Sequence, residues 1–173
     1  PQRPDLPRLH VELEARIRDL DEEAGTGVSG FRNTYLKALL GDFADPRAAD
    51  TINLLNGFAD TYVNAELPQW FYDGFSAIRL VAPIKEDPAD NAAAPDVRPL
   101  GLGECLKRAI HKATAAELRD AFGEHFRPQQ IAIGVPGGLS LLVFGVRTLL
   151  EHRPDFIAVK LDLRNAYNEV KRA

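Results

Sequence analysis

The sequence predicts an α+β fold: a helical N-terminal region, then a β-hairpin, more helices and a final strand. Three observations carry that expectation. Apolar residues recur at helical spacing through the first third of the chain and again between residues 106 and 152. Two segments rich in β-formers, 76–87 and 97–103, flank a loop-like stretch, PADNAAAP (88–95). A short run near the end, FIAVKLDL (156–163), is apolar on both faces, as a central strand is.

Each element has its own signal. Leu9, Leu13, Ile17 and Leu20 are spaced for one helical face, and Gly25 and Gly27 are expected to end that helix. Ser29 is a candidate N-cap for a second helix with Phe31, Tyr35 and Leu39 on one side. Asp45-Pro46 pairs a capping residue with proline at the first helical position, so a third helix starts there. Its apolar stripe is Ile52, Leu55, Ala59, Tyr62 and Val63, and Glu66-Leu67-Pro68 closes it. Residues 76–87 and 97–103 are expected to pair as a hairpin with a long tip. Leu106, Ile110, Ala113, Leu118, Phe122 and Phe126 then mark one helix that Pro128 stops. QQIAIGVPGG (129–138) is too rich in glycine for a helix, a further helix covers about 139–152, and Arg153-Pro154-Asp155 forms a turn.

Composition narrows the classes. At 173 residues and 45% apolar, the chain can bury a core. One cysteine, Cys105, excludes an internal disulfide and has no metal-ligand spacing around it. No apolar run approaches the ~20 residues that span a bilayer, and no signal-peptide pattern opens the chain, so we expect no membrane association and no secretion. Residues 1–60 carry seven Lys/Arg against eleven Asp/Glu, while 61–173 are balanced. Charge alone does not point to nucleic acid. Methionine is absent and the last residues carry no helix stop, so we expect a piece of a longer reading frame.

Asp162 is the residue that needs explaining. An ionised carboxylate in an apolar strand is costly unless partnered. It can cap the helix expected from Asn165, pair with a base, or hold a metal ion.

LDLRNAYNEV resembles motif A of reverse transcriptases: apolar residue, aspartate, a short variable stretch, then alanine and an aromatic, here Ala166 and Tyr167. Upstream segments resemble others of that family in the right order. NAELPQWFYDGF (64–75) is similar to the helix-proline-aromatic lead-in of non-LTR enzymes. RLVAPIKED (79–87) is similar to the first fingers strand, and RPLGLGECLKRAIHKA (98–113) to the next fingers motif. Residues 129–138 resemble the glutamine- and glycine-rich turn before motif A. The resemblance covers 64–173. It implies a helical extension over 1–63, then the fingers and the first palm strand of an RNA-directed DNA polymerase, truncated before its Tyr-x-Asp-Asp motif.

That family joins deoxynucleotides to a primer 3′ end with two magnesium ions. The resemblance makes Asp162 the catalytic, metal-bridging carboxylate and the Leu163 carbonyl a further ligand. The N–H groups of Asn165 and Ala166 would receive nucleotide phosphates, and Tyr167 would exclude the ribose 2′ hydroxyl. Lys85 and Arg98 would fold over the triphosphate, or else form a solvated hairpin edge. Lys107, Arg108, His111 and Lys112 would meet template phosphates, or else line a solvated helix face. Gln129 and Gly134 would lie near the template. The implied partners are an RNA template, a DNA primer and deoxynucleoside triphosphates, and the implied location is intracellular, nuclear or cytoplasmic. One carboxylate cannot hold two magnesium ions, so this polypeptide is expected to be inactive alone. Four acids in the hairpin insert, Glu86, Asp87, Asp90 and Asp96, would repel phosphate. Two alternatives stay open: a helical protein-interaction module, and a decayed or domesticated copy with a structural or RNA-binding role.

Overall fold

The computed structural model of the chain describes residues 7–41, 45–84, 97, 99–131 and 134–161. In order, the elements are α1 (Glu14–Arg18), α2 (Asn33–Leu40), α3 (Pro46–Val63), α4 (Gln69–Phe75), β1 (Arg79–Val81), β2 (Leu100–Leu102), α5 (Cys105–Glu117), α6 (Arg119–Phe126) and α7 (Gly138–His152). The class is α+β, mostly helical, with one two-stranded antiparallel sheet among the described residues. The chain forms two compact units, 1–118 and 119–173. The boundary expected at 63/64 therefore falls inside the first unit, because Cys105, Ala109, Ile110 and Ala113 of α5 share one core with Ile17, Leu36, Leu40 and Ala59.

The first helix is where the sequence misleads. Residues 9–13 are not helical, and only Glu14–Arg18 coil. The reason lies on α3. Its Asn64, Asp60 and Asn56 side chains accept hydrogen bonds from the backbone N–H of Leu9 (2.9 Å), Val11 (2.9 Å) and Leu13 (3.0 Å). Four helical residues rise about 6.0 Å, and two extended residues rise about 6.6 Å. A polar residue every fourth position of a helix thus meets every second amide of an antiparallel extended strap. Asn64 also donates to the Leu9 carbonyl at 2.7 Å. Val11 and Leu13 are driven into the core by the same geometry. The four-residue spacing read as a helix is also compatible with a period of two.

Asp45 caps α3 by accepting from the Arg47 N–H at 2.9 Å, with Pro46 at the first helical position as expected. Ile52, Leu55, Tyr62 and Val63 pack on the core and Ala59 is inside it. Phe58 and Tyr62 meet Phe71, Tyr72 and Phe75 of α4 at ring separations of 5.4–6.2 Å. The Tyr72 hydroxyl donates to the Tyr62 carbonyl (3.0 Å) and accepts from the Leu67 N–H (3.3 Å), which fixes the α3–α4 turn.

Helix α2 has two apolar sides, and the one noted in the sequence is not the buried one. Asn33, Leu36 and Leu40 face the core, while Phe31, Tyr35 and Leu39 face out. Ser29 caps no helix, and α2 begins after Arg32. The long helix expected over 106–126 is divided between α5 and α6, which belong to different compact units. The hairpin forms, with Arg79, Leu80 and Val81 opposite Leu102, Gly101 and Leu100, and a bridge at Ile84–Val97 in the same register. Its strands are shorter than expected. The loop 88–95 lies outside the described residues. Helix α7 matches the expected 139–152 to within a residue.

The strand expected at 156–163 does not appear at 156–161, where Ile157, Val159 and Leu161 are exposed. A strand exists only with a partner to complete its ladder. Among the described residues the only strands, β1 and β2, pair with each other.

Replacing Asn56 by alanine leaves the Leu13 amide without its acceptor. We expect a loss of about 1–3 kcal/mol in urea unfolding of the chain. An unchanged midpoint would show that the strap contributes nothing.

Candidate nucleotide and nucleic-acid site

The residues expected to touch nucleotide and metal are Asp162, Leu163, Asn165, Ala166, Tyr167, Lys85 and Arg98, and all seven lie outside the described residues. The described structure positions their approaches. The Ile84–Val97 bridge sets the two hairpin arms side by side immediately before Lys85 and Arg98. Helix α7 ends at His152, where Arg153 forks onto Asp155 (3.0 and 2.8 Å) and lies over the Phe156 ring at 4.2 Å. That turn leads into residues 157–161, which form neither helix nor strand, ahead of Asp162.

The basic helix α5 is described in full, and its side chains do different things. The Arg108 Nη2 donates to the buried Asn33 Oδ1 at 3.0 Å, and Asn33 in turn donates to the Asp21 carbonyl. Arg108 is thereby committed to holding α2 and the 21–33 loop to α5, and its Nε is buried without a hydrogen-bond partner among the described residues. Lys112 stands 4.0 Å from the Asp19 carboxylate. His111 lies 6.3 Å from the Tyr62 ring, and desolvation there, aided by Lys107, lowers its pKa from the ordinary value, which keeps it neutral at pH 7. Lys107 is half-buried. The four residues expected to meet template phosphates thus share one helix without forming a common open basic face.

Gln129 is exposed in the turn after α6. Gly134 has φ +69°, and a Cβ there would come within 2.8 Å of the Arg119 carbonyl oxygen and 3.2 Å of the Gly123 Cα. The glycine is required by a left-handed turn closing against α6.

Sequence reasoning missed the anchor at the start of α5. Glu104 accepts from the Ser29 N–H (2.8 Å) and hydroxyl (2.6 Å). Those bonds, the hydroxyl's first, hold its carboxyl below the usual 4.5. Gly27 lies underneath: a Cβ there would meet the Glu104 backbone nitrogen at 2.8 Å. The signal available was only the small residues in Gly25-Thr26-Gly27. Cys105 is buried in the core, and burial pushes its thiol pKa up, which disfavours a reactive thiolate.

Among the described residues no three or more His, Cys, Asp or Glu are grouped to hold a metal ion, and no helix is long and apolar enough to cross a membrane. The implied magnesium ligands, Asp162 and the Leu163 carbonyl, supply hard oxygen donors of the kind magnesium takes. They form an incomplete set for two ions. No family model, no curated protein and no solved structure matches the chain.

Two outcomes follow for the Glu104 anchor. Because its folded pKa is depressed, its stabilisation is present above about pH 4.5 and is lost as pH falls through the folded value. The acid-induced loss of stability should be shallower in Glu104→Gln than in the native chain, measured by urea midpoints between pH 3 and pH 6. Gly27→Ala should destabilise by about 1–3 kcal/mol through overpacking against the backbone, and a neutral result would show that the loop has room.

Proposed function

We propose that the chain is the fingers region and first palm strand of an RNA-directed DNA polymerase of the non-LTR type, inactive by itself. The observation that carries this reading is the order of motifs, 64–75, 79–87, 98–113 and 129–138, ahead of Asp162 and the Asn165-Ala166-Tyr167 triplet. It is supported by the succession of elements. Helix α4 precedes an antiparallel hairpin, helix α5 follows it, and a glycine turn lies between α6 and α7.

In the complete enzyme, bound magnesium would neutralise charge on the reacting phosphates. Asp162 and the Leu163 carbonyl would hold the ions, with further carboxylates supplied from beyond motif A. The N–H groups of Asn165 and Ala166 would bind the β- and γ-phosphates, while Lys85 and Arg98 would close over the triphosphate from the hairpin arms. Tyr167 would stand against the sugar and exclude a 2′ hydroxyl. Lys107, Lys112, Gln129 and Gly134 are the remaining candidates for template contact, since Arg108 is spent on Asn33.

The alternative is a helical interaction module, and the observation that favours it is the exposed apolar side of α2. Primer extension separates the two. In the parent reading frame expressed through its Tyr-x-Asp-Asp motif, incorporation with magnesium should fall at least about a thousandfold in Asp162→Asn. Tyr167→Val should admit ribonucleotides. Full incorporation by Asp162→Asn would refute the metal assignment, and a parent frame without that motif would refute the polymerase reading.

A further inference from the structure

The apolar side of α2 borders a groove of about 590 Å³ in the first compact unit. Its lining includes Phe31 and Leu39, Trp70 and Phe75 of α4, Leu55 of α3 and Leu106 of α5. Trp70 is 73% exposed, Leu39 53% and Tyr35 52%. Large apolar side chains left in water along a concave surface mark a docking site, and aromatic residues supply most of the anchoring energy at such sites.

We propose that this groove receives an amphipathic helix of a partner protein, one that carries a lysine or arginine beside its apolar anchors. Shape decides for a helix over a small molecule. Tyr35 and Leu39 lie one turn apart on α2, and Phe31, ahead of the helix, continues their exposed apolar ridge by packing on Tyr35. Tyr35 lies on that ridge, packed edge-on against Phe31 at 5.6 Å, yet does not line the groove. A small molecule filling the groove would leave it uncovered, whereas a helix laid along α2 covers both, as helix-in-groove recognition does. Charge decides the partner's sign. Glu104 is the only Asp, Glu, Lys or Arg among the described residues that line the groove, and Ser29 holds its carboxylate in place. An acidic helix would set like charges together, and a basic one pairs them. This site is independent of the polymerase reading and stands or falls separately.

Trp70 is the single tryptophan of the chain, so its fluorescence reads the groove directly. The full chain is titrated with a leucine–lysine amphipathic peptide of about 18 residues, long enough to be helical, and with a leucine–glutamate peptide of the same apolar pattern. The lysine peptide should change Trp70 emission saturably at one to one. Binding should weaken about tenfold or more for the glutamate peptide and in Leu39→Asp and Glu104→Gln. Glu117→Gln, which removes the same charge from α5 outside the groove, should bind as the native chain does. Because Leu39→Asp adds a negative charge, general attraction to a basic peptide would tighten rather than weaken. Leu39 is half exposed, and an unchanged urea midpoint verifies that the variant folds. Equal binding of both peptides, native binding by Leu39→Asp or Glu104→Gln, or no saturable change overturns the proposal. So does self-association of the chain that Leu39→Asp abolishes, which would make a second copy the occupant.

Discussion

The first compact unit depends on one repeated interaction, the capture of an extended strap by a helix. Asn56, Asp60 and Asn64 project from one face of α3 at intervals of four, and the amides of Leu13, Val11 and Leu9 meet them at intervals of two. Neither segment makes the arrangement alone. The strap has no strand neighbour among the described residues to satisfy its amides, and three polar side chains on the core-facing side of α3 need partners. Each answers the other's deficit, and the apolar side chains of the strap close the core over α1, α2 and α5.

What the strap organises in turn limits the chemistry of α5. The loop between α1 and α2 is pinned from three sides: by Asn33 to the Asp21 carbonyl, by Arg108 to Asn33, and by Ser29 to Glu104. A guanidinium in such a network positions helices and is not free to follow a phosphate backbone. A histidine desolvated against Tyr62 is a weak cation for the same purpose. If nucleic acid is bound, the charge that binds it comes chiefly from residues elsewhere than the α5 cluster. The outward apolar side of α2 is a different consequence. A short helix cannot turn both Leu36/Leu40 and Tyr35/Leu39 inward, so one set is left exposed, with Phe31 beside it.

Much of the fold was legible in the sequence because its signals were local. Asp45-Pro46 caps α3 by geometry that three residues determine, the hairpin follows from β-formers around a loop, and α7 follows from a glycine start and a continuous apolar run. The failures share a cause in that each was decided by residues far along the chain. Leu9 and Leu13 read as helix because their spacing fits two periods, and the choice is made about fifty residues away. The Asn56-Asp60-Asn64 series was the missed sign, since three amide or carboxylate side chains at helical spacing beside an apolar stripe announce a backbone to be bound. Phe31, Tyr35 and Leu39 were legible as one apolar side, but periodicity cannot tell which of two apolar faces is buried. FIAVKLDL read as a strand because composition cannot supply a neighbour. Of the candidate site, the sequence offered an order of resembling segments and a role for Asp162, which itself lies outside the described residues. The internal commitment of Arg108 was not, because nothing local to α5 names Asn33 as its partner.

Native-state hydrogen exchange of individual amides tests the strap most directly, because it reads the ladder bond by bond. The N–H groups of Leu9, Val11 and Leu13 should exchange slowly, at rates approaching that of Ala59 inside α3, while those of His10 and Glu12 exchange fast. Uniformly fast exchange across 9–13 beside a protected Ala59 would contradict the strap, and uniform slow exchange with helical periodicity would return those residues to a helix.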